Sequence, residues 1–307
     1  MSAMFGSTEP RRESLAVAAI LITVATLSFS DALVKLFSDG FSLWQIFTLR
    51  SLCVAPLLVA ALALQRSRSE RLRRPLFWVS IRSLLMAAQA ILYYLALPKV
   101  ALSAVAATNY TMPLFVTMFA AVIFGHRVPL KAWIAVGLGF SGVLLIVQPA
   151  SSTFNAFALL PLVAAMLAAL ANLVTNAKCQ DVPPLVISLN LNLVLLAVGL
   201  LGTCFGLLPQ TDSPGSDYMD YVAGRWTPMT FEDWAAILIM AVSFAIGSIG
   251  AAVAYQFGRP TTIATLDFMY IAFAFLWGLL FFSELPNVAA LLGIVIIVVS
   301  GLVVVRR

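Results

Sequence analysis

The sequence predicts an all-α polytopic membrane protein. Three observations carry that prediction: its apolarity, the length of its apolar runs and the placement of its basic residues. Hydrophobic residues fill 62% of 307 positions and charged residues only 10%, with a mean hydropathy of +1.02. An average soluble domain is about half apolar and about a quarter charged. At about 1.5 Å rise per helical residue, most of the apolar runs match a hydrocarbon layer of about 30 Å. Of the 18 Lys and Arg, all but Lys35, Arg50, Arg82, Lys99 and Arg225 fall in the tails or in connections on one side. This is the bias that keeps positive loops in the cytoplasm. The net charge of +5 is therefore a topology signal, not a nucleic-acid footprint.

In chain order, a cytoplasmic tail over residues 1–14 leads into a first apolar run over 15–37. That run is too long for a signal-peptide core and lacks a clear small-residue cleavage site, so it reads as a retained span. Spans follow at 42–64, 76–97, 100–124, 132–148, 156–177, 185–208, 234–255, 262–282 and 287–305, and the cytoplasmic end is 306–307. This makes ten transmembrane helices with both termini inside. The longest connection, about 209–233, carries Asp212, Asp217, Asp220, Glu232 and Asp233 and the run PQTDSPGSD. It is expected to be a solvated outer loop without a fold of its own. Trp78 and Trp133 at inner ends, and Trp44 and Trp234 at outer ends, read as interfacial anchors.

Several classes of chemistry are excluded. Cys53, Cys179 and Cys204 are odd in number and imply no disulfide framework. One histidine and unclustered carboxylates leave no metal-ligand spacing, and no cofactor is expected. No G-x-x-x-x-G-K-[ST] run is present, which argues against an ATP-driven pump. Intramembrane hydrolysis would need a buried G-x-S-x-G, H-E-x-x-H or paired aspartates, so an enzyme or receptor is the remote alternative.

The pattern of residues 101–147 returns half a chain later. ALSAVAATNYTMPLFVTMFAAVIFG, the turn HRVPLK and AWIAVGLGFSGVLLIV are echoed by TIATLDFMYIAFAFLWGLLFF, SELP and NVAALLGIVIIVVSGLVVV. Each copy has a turn proline (Pro129, Pro286) and a late Ser-Gly (Ser141-Gly142, Ser300-Gly301). If 15–148 and 156–305 are repeats joined by 149–155, five spans is an odd number and the halves enter the membrane from opposite sides. Two inverted five-helix repeats around a central cavity characterise many secondary transporters.

Ten spans in two halves, short loops and a fourth span followed by a turn and a glycine-studded fifth resemble the EamA family of the drug/metabolite transporter superfamily, over residues 15–305. In that family the turn is often Gly-Glu. Here it reads Ser283-Glu284 in the second half and Gly125-His126 in the first, and Pro113 has no partner near Ile271. The resemblance implies a secondary transporter of a small-molecule substrate in a bacterial inner membrane, working in the lipid bilayer with a monomer as the expected unit. The whole-chain character is most similar to bacterial exporters of amino acids, aromatic ones in particular. A drug, vitamin or nucleotide precursor is the alternative cargo.

Polar residues within spans are the sharpest signals, because an unpaired charge at mid-bilayer costs at least about 3 kcal/mol. Asp31 and Lys35 lie four apart on one face of span one, and Arg50 in span two lies at a similar depth, so the three are expected to meet. Their role is either coupling and gating or a helix-pairing ion network, and Lys35 can also snorkel outward. Arg82, Met86, Gln89 and Tyr93 form a stripe on span three, with Arg82 expected to snorkel. Span four offers Asn109 or Tyr110 to a cavity, and Pro113 as a hinge or a plain packing kink. Asn172 and Asn176 on span six line the path or bond between helices. Ser248 on span eight sits among small residues that allow close packing. On span nine Asp267, Tyr270, Phe273 and Trp277 share one face, a carboxylate followed by three aromatics. The acid suits a substrate ammonium or a proton, and the rings suit an aromatic or cationic solute, although each ring is also a normal packing residue.

Overall fold

The computed structural model describes residues 9–64, 73–124, 130–148, 155–179, 182–206, 217–223, 226–257, 263 and 266–305. It is all-helical among them: α1 (Glu9–Leu36), α2 (Leu43–Leu64), α3 (Arg73–Ala96), α4 (Leu102–Asn109), α5 (Met112–Phe124) and α6 (Leu130–Val147) come first. A 3₁₀ turn at Ala156–Leu159 leads into α7 (Leu160–Lys178), then α8 (Pro184–Gly206), α9 (Asp217–Ala223), α10 (Phe231–Phe257), α11 (Met269–Phe282) and α12 (Val288–Val305). Six of these helices are long and apolar enough to cross a membrane, and Trp133–Val147, Met269–Phe282 and Val288–Val303 are shorter apolar helices. Large apolar side chains such as Leu64, Val122, Leu130 and Val288 point outward, as a lipid solvent allows. The protein is a polytopic membrane protein.

Span four, expected as one helix, is two. Pro113 has no N–H to return to the Asn109 carbonyl, and its ring would clash there, so α4 stops at Asn109 and α5 starts afresh with the proline in its first turn. Thr111 closes the gap: its N–H and its Oγ1 both donate to Thr108 O, at 3.1 and 2.7 Å. Pro113 is thus a helix start, not a kink in a continuous span. Likewise α11 begins only at Met269, with Phe268 as its cap, so Asp267 lies before the helix whose face it was expected to share.

The helices pair in a regular way. α1 packs on α10 and α11, α3 on α7 and α8, α2 on α8 and α10, and α6 on α12, while α4 and α5 lie against α7 and α4 also meets α11. The small residues of α10 sit directly on α1, where Gly247 faces Leu27 and Gly250 faces Thr23. At the α6–α12 crossing a Cβ on Gly142 would lie 2.8 Å from Gly293 O, whereas one on Gly137 would meet nothing within 4 Å. Gly142→Val is therefore expected to cost about 1–3 kcal/mol through overpacking. Gly137→Val on the same helix should change little, and thermal unfolding of the purified variants checks the contrast.

The connection expected to be unstructured forms α9, which sits across the end of the bundle where α1 ends and α2 begins. Tyr221 is 1% exposed and donates to Tyr94 O at 3.2 Å, Tyr218 donates to Leu95 O at 3.1 Å, and Trp44 Nε1 donates to Val222 O at 2.7 Å. Trp44 is thus a tether for α9 and not a lipid-facing anchor. Burial pushes both the Tyr218 and Tyr221 hydroxyls above their ordinary pKa, which keeps them as donors.

Candidate functional site

A cavity of about 240 Å³ lies inside the bundle, one layer below α9. α1 contributes Ser30 and Asp31, α2 Arg50, α3 Met86, Gln89, Tyr93 and Tyr94, and α10 Phe244. The two interrupted spans contribute Asn109 and Tyr110 from one, and Asp267 and Tyr270 from the other. Asn109 and Tyr110 both line the cavity because α4 ends between them, which frees the pair from the 100° step of a continuous helix.

One side of the cavity is a closed hydrogen-bond network. The Asp31 carboxylate accepts from Tyr94 Oη at 2.9 Å and also from the Tyr270 hydroxyl, which in turn pairs with the Tyr93 hydroxyl at 3.1 Å. Arg50 Nη1 donates to Tyr94 Oη at 2.9 Å, so Tyr94 stands between the two charges. The guanidinium also lies over the rings of Phe47, Tyr94 and Phe244, each within 6 Å, which replaces part of its lost hydration.

The other side is open to a ligand. Asp267 accepts the Tyr110 hydroxyl, and Asn109 Oδ1 and Ser30 Oγ are buried without a hydrogen-bond partner among the described residues. Tyr110 stacks on Tyr270 at 5.4 Å between ring centroids and leans on Phe268 at 5.3 Å. The arrangement sets buried acceptors beside a flat aromatic wall, a combination that suits a solute with a cationic or amide donor and an apolar body.

Other residues singled out from the sequence lie elsewhere. Lys35 does not join Asp31 and Arg50, nor does it snorkel: its ammonium meets Glu284 Oε1 at 2.5 Å and Val100 O at 2.6 Å. Trp277 Nε1 donates to Ser28 Oγ at 3.1 Å and packs edge-on against Phe29, and Phe273 packs against the main core, so neither ring lines the cavity. Tyr270 and Trp277, both within α11, each reach α1, at Asp31 and at Ser28, but only Tyr270 also lines the cavity, and Asp267 precedes the interruption before Met269. Asn172 bonds Met112 Sδ at 2.9 Å and ties α7 to the start of α5, while Asn176 is exposed near the far end of α7. Ser248 belongs to α10, but its side chain is outside the described residues. Tyr94 and Glu284 went unnoticed as partners. Matching the depths of Asp31 and Arg50 against the end of span three points to Tyr94, but nothing in the sequence points Glu284 at Lys35.

A membrane-embedded bundle with a polar, aromatic cavity lined by interrupted helices is the architecture that many secondary transporters build around their solute. Residues 14–148 match the EamA-like transporter family. The chain is 25% identical over 286 residues to a pseudopaline exporter of Pseudomonas aeruginosa, covering 92% of this chain and 93% of that one. It is 27% identical over 197 residues to a riboflavin transporter of Rhizobium johnstonii (64% and 59% coverage) and 22% identical over 265 residues to one of Brucella anthropi (86% of each). A crystal structure with 19% identity aligns at a TM-score of 0.57 over 96% of this chain and 99% of the other, which supports the fold.

Proposed function

We propose that the protein exports small organic metabolites, amino acids with aromatic or other neutral side chains foremost, across a bacterial inner membrane by alternating access. The observation that carries this reading is the pair of buried acceptors, Asn109 Oδ1 and the Asp267 carboxylate, set beside the Tyr110 ring in one cavity. A substrate ammonium fits the acceptors and a side chain fits the ring wall, with Gln89 available to a polar group. Among the described residues only Arg50 brings a cation to the cavity wall, and it already serves Tyr94, so a phosphorylated solute is poorly matched. Counterflow by the purified protein in liposomes tests this: labelled phenylalanine should exchange with an internal amino acid pool, and absence of exchange across an amino acid panel would refute the reading. A flat heterocycle is the second reading, favoured by the Tyr110–Tyr270 stack and by the riboflavin transporters among the relatives. Riboflavin moving in place of any amino acid would decide for it.

The working cycle rests on two inverted five-helix halves, 15–148 and 156–305, with both termini cytoplasmic. Support comes from the helix pairs: α1 on α10 is mirrored by α7 on α3, α2 on α10 by α8 on α3, and α1 on α11 by α7 on the α4–α5 pair. α2 with α8 and α6 with α12 are each other's counterparts. The interruptions at Tyr110 and Phe268 fall at matching places in the two halves, and their rings touch. Single cysteines placed over 66–74 should be labelled only from the cytoplasmic side, and those over 212–220 only from the outside. Labelling of both sets from one side would remove the inverted arrangement.

A further inference from the structure

Arg82 lies on the cavity face of α3 but below the cavity, toward the end of the bundle opposite α9. Met86 and Gln89, four and seven residues further along the same face, both line the cavity. At about 1.5 Å per residue, Arg82 sits about 6 Å beyond Met86 and about 10 Å beyond Gln89. Its Nε and Nη1 are buried without a hydrogen-bond partner among the described residues, and the residue as a whole is half-buried, so two of its three nitrogens are withdrawn from water. Among the described residues, Ser83 Oγ, next in the chain on α3, and Asn190 Oδ1 on α8 are also buried without a partner, and Asn190 Nδ2 donates to Ser80 Oγ at 3.4 Å. A guanidinium held this way inside a bundle is strongly unfavourable unless an anion completes it. Its Nε–Nη2 edge is the fork that takes a planar oxyanion with two parallel hydrogen bonds, and Nε is the member of that edge without a partner. Arg50 differs in having its donor already engaged by Tyr94.

We propose that Arg82 docks a carboxylate of the transported solute on the path between the cytoplasm and the cavity. The proposal deepens the transporter reading above: a zwitterion would meet Arg82 with its carboxylate first, then present its ammonium to Asp267 and Asn109. It also assigns a substrate preference, acids over the corresponding amines.

Binding to the purified full-length protein tests this apart from transport. Wild type, Arg82→Gln and Arg82→Lys are titrated with 3-phenylpropionate, a carboxylate without an amine, and with phenethylamine, an amine without a carboxylate, by ligand-induced shift of the unfolding temperature. The loss of a charge-assisted bidentate contact should weaken phenylpropionate about tenfold or more in Arg82→Gln, with phenethylamine unchanged within about twofold. Arg82→Lys, which keeps the charge without the fork, should fall between, and carries the comparison if the glutamine variant does not fold. Equal weakening of both ligands, no weakening of either, or no carboxylate binding by wild type would overturn the proposal. So would stabilisation of wild type, but not of Arg82→Gln, by phosphatidylglycerol alone, because the guanidinium would then serve a lipid phosphate. Phenylalanine counterflow is read separately: its failure alongside Arg82-dependent phenylpropionate binding would refute the amino acid reading and leave the carboxylate site standing.

Discussion

Asp267→Asn is expected to abolish most transport of amine-bearing solutes while leaving the fold intact. Asparagine keeps the size of the side chain and an oxygen for the Tyr110 hydroxyl, but removes the one charge facing the Asn109 side of the cavity. A hydrogen bond to a charged group contributes about 1.5–3 kcal/mol, or about 10- to 100-fold in affinity. Counterflow of phenylalanine should therefore need a correspondingly higher concentration, with the unfolding temperature near that of the parent. Asp31 cannot substitute, because both its oxygens are already taken by Tyr94 and Tyr270. If Asp267 also carries the coupling proton, the variant's flux should lose its response to an imposed pH gradient. Gradient-driven flux that persists unchanged would remove Asp267 from coupling.

The second large effect is expected at Lys35, one turn beyond Asp31 on α1. Lys35 and Glu284, with side chains 10% and 19% exposed, form a joint between α1, the end of α11 and the start of α4. Glu284 Oε2 accepts the first N–H of α4, from Leu102 at 2.8 Å, and the Lys35 ammonium also lies over the Phe282 ring at 5.1 Å. The left-handed Ser283 (φ 52°, ψ 31°) makes this possible by turning the chain so that the Glu284 N–H returns to Gly278 O at 3.1 Å. Lys35→Met or Glu284→Gln alone strands the other group, and breaking a buried pair costs about 3–5 kcal/mol. The double variant should be less destabilised than the sum of the two, by about 0.5–3 kcal/mol of coupling. Thermal unfolding of all four proteins measures it, and strict additivity would show that the two side chains do not act as a unit.

These two sites also show where sequence reasoning reached and where it stopped. Asp267 and Asp31 were visible as acids within apolar runs, because the cost of desolvating a charge makes such residues rare whatever the fold. The stripe Met86, Gln89 and Tyr93 was visible because α3 is one continuous helix, and helical spacing then places side chains without further information. The same rule misled on span nine, where the interruption before Met269 separates Asp267 from Phe273 and Trp277. It also misled on Asp31 and Lys35: they share a helix face, yet one meets Tyr94 and the other Glu284, 249 residues away in the chain from Lys35.

What the sequence determined by itself is the class of the molecule: a helical membrane protein whose apolar runs have the length of a bilayer and whose few intramembrane polar groups mark its interior. Hydrophobicity, helical period and charge bias act locally or on average, so they survive without knowledge of the neighbours. Only the tertiary structure decided which of those polar groups are satisfied and which are left for a ligand, and that α9 is a folded cover over the bundle. A buried charge is settled by whichever donor comes within about 3 Å of it, and that approach is made by residues far apart in the chain.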